Sequence, residues 1–116
     1  MHLVAPPSAH CSTIDPERQH SRRLAHTTRA FEQAGVAGLL IEDQTWPKRC
    51  GHMSGKDVIP AEEMVEKIHA ACAARHDPAF VVTARTDAFA THGLPEVLRR
   101  LTLYADAGAD LLFAAA

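Results

Sequence analysis

The chain has 116 residues, enough for one small domain whose core must draw on most of its length. Hydrophobic residues make up 47% and charged residues 22%, which excludes a disordered polar chain. A net charge of −2, with only four Phe, one Trp and one Tyr, argues against a nucleic-acid or anionic-membrane surface.

Three cysteines, Cys11, Cys50 and Cys72, are too few and too scattered for a disulfide framework or a common zinc motif. A reducing cytoplasm is therefore expected. No apolar run approaches the ~18–20 residues that span a bilayer, and Met1–Pro7 lacks the basic start and apolar stretch of a secretory signal.

Residues 1–26 hold three Pro, four His and three Arg with no sustained apolar period, and are expected to form an irregular leader outside the fold. Regular patterning begins at Thr27. Thr27–Ala34 reads as the end of a helix closed by Gly35, where a positive φ costs least. Val36–Ile41 is a continuous apolar run, expected of a strand covered on both faces, with Glu42 and Asp43 at its end. A polar loop follows from Gln44 to Ile59.

Pro60 and the acids Glu62 and Glu63 start a helix with the polarity its dipole favours, and Met64, Val65, Ile68, Ala71 and Cys72 form one apolar stripe. Asp77-Pro78 breaks the chain. Phe80–Ala84 reads as a second buried strand, with Arg85, Thr86 and Asp87 at its C-terminal end. A third helix starts near Pro95, uses Val97, Leu98, Leu101, Tyr104 and Ala105, and stops at Gly108; Ala109–Phe113 follows as a third strand. Residues 34–40 and 107–113 echo one another as helix end, Gly and strand. Alternating strands and helices with apolar strands predict an α/β fold on a parallel sheet, with chemistry at the strands' C-terminal ends.

Three clusters sit at those ends. Glu42-Asp43 suits a hard cation such as Mg²⁺, although an ion pair or helix cap would use the same residues. Lys48-Arg49-Cys50-Gly51-His52 places a thiol between cations and an imidazole, which favours thiolate or easy proton exchange; a solvated basic loop is the plain alternative. Arg85 offers a planar fork for a carboxylate, or a salt bridge to Asp87 or Glu42. Cys72 lies on the apolar stripe and His69 and His76 beside the polar face, so all three read as structural or solvated. Trp46 reads as packing or as part of a loop closing over a ligand.

Taken in register, Gly38-Leu-Leu-Ile-Glu-Asp-Gln44, Pro47-Lys-Arg-Cys-Gly-His52 and Ala84-Arg-Thr-Asp-Ala88 resemble the isocitrate lyase/phosphoenolpyruvate mutase superfamily, its methylisocitrate lyase-like branch most closely. The resemblance covers roughly residues 27–113. It implies a partial (β/α)₈ TIM-type barrel of about three parallel strands with crossover helices, residues 27–116 being its central fragment. It also implies Mg²⁺ as cofactor and retro-aldol cleavage of a 2-hydroxy di- or tricarboxylate, such as 2-methylisocitrate, to an α-keto acid and an enolate. On this chain Cys50 would protonate the enolate and Lys48 stabilise developing charge. Gly51 and His52 would line the closed site, Arg85 would hold a substrate carboxylate, and Glu42 would hold the metal through water. The partner is then a small carboxylate, with neither nucleic acid nor membrane, and intact relatives are expected to be homotetramers.

Three features depart from the family pattern. Residues 1–26 contain one Asp, Asp15, and no Asp-X-Asp turn; Leu40 stands where the family usually has His; and the chain stops at Ala116, where the family continues with an acid and further strands. An eight-fold barrel needs ~250 residues, so the sequence reads as a truncated, frame-shifted or degenerate member, and the isolated chain is expected to be marginally stable and inactive. Two further readings compete with a lyase: a non-catalytic barrel fragment that partners an intact homologue, and a small metal or redox module using Cys50, Cys11 and the histidines.

Overall fold

The computed structural model describes residues 16–45 and 57–116, with backbone only for 16–19. It orders them as α1 (Pro16–Gln33), β1 (Gly38–Glu42), α2 (Ala61–Ala74), β2 (Val81–Thr86), α3 (Phe89–Asp106) and β3 (Leu111–Ala114). All three strands are parallel, in the order β1-β2-β3, so β2 is central. Lys48, Cys50, Gly51, His52, Trp46 and Cys11 lie outside the described residues.

Residues 16–26, expected to be irregular, belong to α1. Pro16 suits a first helical position because its missing N–H is one the helix would leave unpaired. The remaining signal was weak because Leu24 and Phe31 are the only large aliphatic or aromatic side chains among residues 20–33, and both are packed against the core. Between them the buried positions are Thr27 and Thr28. Thr28 is tolerated there because its hydroxyl donates to the Leu24 carbonyl at 2.7 Å.

Gly35 closes α1 as expected, at φ 88°. Its N–H donates to the Glu32 carbonyl and that of Val36 to the Phe31 carbonyl, which satisfies two carbonyls that a helix end otherwise leaves unpaired. The echo at residue 108 is the same device. Gly108, at φ 117°, donates to Ala105, and Ala109 donates to Tyr104. Both closures launch a strand.

In β1 and β2 every second residue is buried. Leu39, Ile41, Val82 and Ala84 meet Met64, Ile68, Ala71 and Tyr104 from α2 and α3 in one cluster. Met64 and Ile68 have no exposed surface, and burying each side chain stabilises the fold by roughly 1.5–3 kcal/mol. The stripe of α2 is as expected, with Val65 and Cys72 at its half-buried margins. The opposite sheet face, carrying Leu40, Glu42, Thr83 and Arg85, is only half-buried, so the strands are not covered on both faces by the described residues. Strand β3 is exposed throughout, with Leu111 at 57% and Phe113 at 47%.

Helix α3 starts earlier than expected, at Phe89, but breaks at Gly93 (φ 82°, ψ 178°) before Pro95. The main helical segment therefore begins near Pro95. Its buried positions are Val97, Arg100 and Tyr104, whereas Leu98 and Ala105 are exposed. Leu101 packs beside Val97 as expected, and Arg100 joins the stripe as a buried position.

Candidate active-site end of the sheet

Parallel pairing brings Glu42 opposite Arg85 and Arg85 opposite Phe113. Since paired residues of neighbouring strands share a face, these three side chains gather at the C-terminal edge of the uncovered face. Arg85 Nη2 donates to Asp87 Oδ1 at 2.8 Å, with Nε 3.3 Å from the same oxygen and 3.8 Å from Glu42 Oε2. Its guanidinium carbon lies 5.5 Å from the centre of the Phe113 ring, within range of a cation–π contact. Burial opposes the charge on Arg85. The hydrogen bond to Asp87, together with the Asp87, Glu42 and Asp43 carboxylates, outweighs burial and holds its pKa above the usual value. The salt bridge weighed for Arg85 thus forms, chiefly with Asp87. Among the described residues, Nη1 of Arg85 makes no hydrogen bond.

Asp43, read from sequence as suited to a cation or else to an ion pair or helix cap, forms the ion pair, with Arg100. It is fully buried. Its Oδ2 accepts from Tyr104 Oη at 2.6 Å and Arg100 Nη1 at 3.1 Å, and its Oδ1 accepts the Asp87 N–H at 2.8 Å. Three donors compensate the desolvation of one carboxylate, which an isolated buried charge could not survive. Burial, then the adjacent Asp43 carboxylate, pushes the Tyr104 phenol well above its ordinary range, so it remains a donor. Burial works against the charge on Arg100, but hydrogen bonds with Glu96 and Tyr104 and the nearby Asp43 keep its pKa raised.

The same cluster grips both ends of the 44–59 segment. Arg100 Nη1 donates to the Ile59 carbonyl at 2.8 Å, while the Ile59 N–H donates to the Asp43 carbonyl at 2.8 Å. One antiparallel bridge pairs Gln44 with Val58, and Thr45 N–H donates to the Asp57 carbonyl at 2.9 Å. The two chain ends that carry the Lys48–His52 motif are therefore fastened side by side.

Arg100 was missed as a site-building residue, although a signal existed. It falls three residues after Val97 and four before Tyr104, inside the apolar stripe, and a cation there requires a buried acid. Cys72 matches its plain reading. It is half-buried, its thiol is pushed up by burial, and its Sγ lies 3.4 Å from the Gly108 carbonyl. His69 and His76 are exposed, as expected.

Among the described residues no three His, Cys, Asp or Glu side chains come together as a metal centre. Asp43 and Asp87 serve the hydrogen-bond network, which leaves Glu42 as the strand-end carboxylate beside Arg85. The described donor set therefore does not by itself fit a Mg²⁺ ion. No helix of the described residues is long and apolar enough to cross a membrane.

Three parallel strands joined by helices, with charged side chains at their C-terminal ends, define the described residues as successive β/α units of an α/β fold that carries its polar groups at one end of the sheet. The chain belongs to the phosphoenolpyruvate phosphomutase family, whose sequence model matches residues 13–116. That match begins within the stretch expected to be a leader. The chain is 52% identical over 90 residues to the 2-methylisocitrate lyase of Salmonella typhimurium, covering 78% of this chain and 30% of that protein. A crystal structure of 2,3-dimethylmalate lyase, a PEP mutase/isocitrate lyase superfamily member, superposes with a TM-score of 0.75 at 43% identity. It covers 81% of this chain and 32% of that one. Phosphonopyruvate hydrolase in complex with oxalate and Mg²⁺ gives a TM-score of 0.72 at 33% identity, over 83% of this chain and 32% of that one. The chain thus spans about 30% of the length of the curated relatives it matches.

Proposed function

We propose that this chain carries part of the site of a Mg²⁺-dependent carbon–carbon lyase that cleaves a 2-hydroxy di- or tricarboxylate, such as 2-methylisocitrate, to an α-keto acid. The observation that carries the reading is the pairing of Arg85 with Glu42 at the C-terminal edge of the open sheet face. Arg85 holds a substrate carboxylate through the donors that Asp87 does not occupy. Cys50 delivers the proton that quenches the enolate, Lys48 stabilises the developing negative charge, and Gly51 and His52 line the site. Mg²⁺ would supply polarisation of substrate oxygens, with Glu42 as one contributor and its remaining ligands outside the described residues. A cytoplasmic homotetramer belongs to the same proposal.

The test is α-keto acid release, trapped as the hydrazone, from 2-hydroxy di- and tricarboxylates incubated with the chain and Mg²⁺. Cleavage abolished by Cys50→Ser and Arg85→Met supports the reading; the absence of both cleavage and oxalate binding refutes it. One observation favours a second reading, a non-catalytic partner of an intact homologue: Leu111, Leu112 and Phe113 of β3 are all exposed. Co-elution with a full-length relative supports that alternative, and separate elution removes it.

A further inference from the structure

The hydrogen bonds at the sheet's C-terminal edge form a continuous line from a helix to the arginine. Tyr104 Oη and Arg100 Nη1 on α3 fix one oxygen of Asp43, and the other fixes the Asp87 N–H. Asp87 in turn holds the Nε and Nη2 side of Arg85 on a single carboxylate oxygen, Oδ1. Asp43, Asp87, Arg100 and Tyr104 are all buried; the bond from Asp43 crosses to the neighbouring strand end at the Asp87 N–H, and Asp87 then reaches back two residues to Arg85 on its own strand. A guanidinium has five N–H donors in a rigid plane. Fixing Nε and Nη2 therefore fixes where Nη1 points without occupying it.

We infer that Asp87 and Asp43 are positioning residues for Arg85, and that α3 sets the direction of its Nη1, which no described residue occupies, through Arg100 and Tyr104. The ligand taken by that edge is a small carboxylate, an assignment that rests on the function proposed above. The arrangement differs from an ordinary surface ion pair in two respects. Asp87 is 0% exposed at its side chain against 22% for Arg85, so the partially exposed partner is steered by the buried one. In addition, the backbone of Asp87 is not free to follow Arg85, because its N–H is committed to Asp43.

The relay can be read without any ligand, by NMR of the ¹⁵N-labelled chain with the Arg85 Nε–H resonance assigned through its loss in Arg85→Lys. Tyr104→Phe removes one donor from Asp43, and water exchange of the Arg85 Nε–H should accelerate about fivefold, the factor expected for one hydrogen bond. Asp87→Asn should accelerate it more, and Arg99→Ala, on the same helix but exposed, should leave it unchanged. Unaltered Arg85 exchange in a folded Tyr104→Phe chain overturns the relay. If that variant does not fold, the wild-type chain still decides. Through-hydrogen-bond couplings from the Asp87 N–H to the Asp43 carboxylate, and from Arg85 to the Asp87 carboxylate, support the relay when present and overturn it when absent. An oxalate titration with Mg²⁺ then separates the two proposals. Binding by the wild type that weakens about tenfold in Asp87→Asn, with the melting temperature of Asp87→Asn little changed, supports positioning, and an unchanged Kd overturns it. Failure of the wild type to bind oxalate counts against the proposed function, while the NMR result stands on its own.

Discussion

Replacing Arg100 by leucine tests the central energetic claim, that a buried charge cluster organises this end of the sheet. Its side chain is 6% exposed and makes four contacts: Asp43 Oδ2 at 3.1 Å, the Ile59 carbonyl at 2.8 Å, Tyr104 Oη at 3.3 Å and Glu96 Oε2 at 2.7 Å. Leucine retains much of the packing but leaves Asp43 with two donors and the Ile59 carbonyl without this one. Removing one partner of a buried ion pair costs about 3–5 kcal/mol. The Glu96 contact adds little, since Glu96 also binds the more exposed Arg99. Against a total stability of about 5–15 kcal/mol for a typical domain, the loss is a large fraction. Arg99→Leu is the internal control, one residue away and 51% exposed, with an expected change within about 0.5 kcal/mol. Urea denaturation followed by circular dichroism, with equal m-values required, gives both numbers. Equal midpoints for Arg100→Leu and Arg99→Leu would refute the reasoning.

Three other perturbations have definite expected results. Gly38→Ala places a Cβ 2.4 Å from the Val81 carbonyl oxygen, forcing β1 away from β2. The expected loss is about 1–3 kcal/mol or more, read as a lowered denaturation midpoint, whereas Leu40→Ala at the half-buried face should lose less. Glu32 is held below the usual carboxylate range by the N–H groups of Asp77 and His76, and Glu96 is pushed down to about 2 by Arg99 and Arg100. Depressed folded-state values mean that their stabilisation is present above the ordinary value of 4.5 and is lost as pH falls toward 2. Stability measured from pH 6 downward should therefore decline over that window, and less steeply in Glu32→Gln and Glu96→Gln. Leu98→Lys and Leu112→Lys replace side chains that are 56% and 42% exposed. They should leave the midpoint nearly unchanged while reducing any self-association seen by light scattering.

The order of strands and helices was legible because each element obeyed a simple period, and because Gly35 and Gly108 marked helix ends without ambiguity. The first half of α1 was not legible. A helix that buries two threonines and spaces Leu24 and Phe31 seven residues apart offers almost no apolar contrast. At the site, residue type suggested Glu42 and Arg85, and parallel register does set them opposite one another. For Asp43 the choice between cation and ion pair stayed open because adjacent acids look alike in sequence, whereas alternation sends neighbours to opposite faces of the strand. Glu42 points to the open face and Asp43 turns into the cluster beneath. The partners of Asp43 lie 44, 57 and 61 residues away, separations that no local pattern reports.

The two glycine closures have a consequence for how such a chain can change over time. In each, the direction in which the next strand leaves is set by backbone hydrogen bonds within the last turn of the preceding helix and by one left-handed residue. Among the described residues the Gly35 joint borrows no side chain from another unit, and the Gly108 joint takes only the Cys72 thiol, on its carbonyl. Such joints behave as standard couplings, so a helix-and-strand module can be exchanged with that of a relative while the angle at the coupling is preserved. The exchange has to respect only the face that packs and, at Gly108, room for the Cys72 sulfur, which would lie 3.1 Å from an added Cβ.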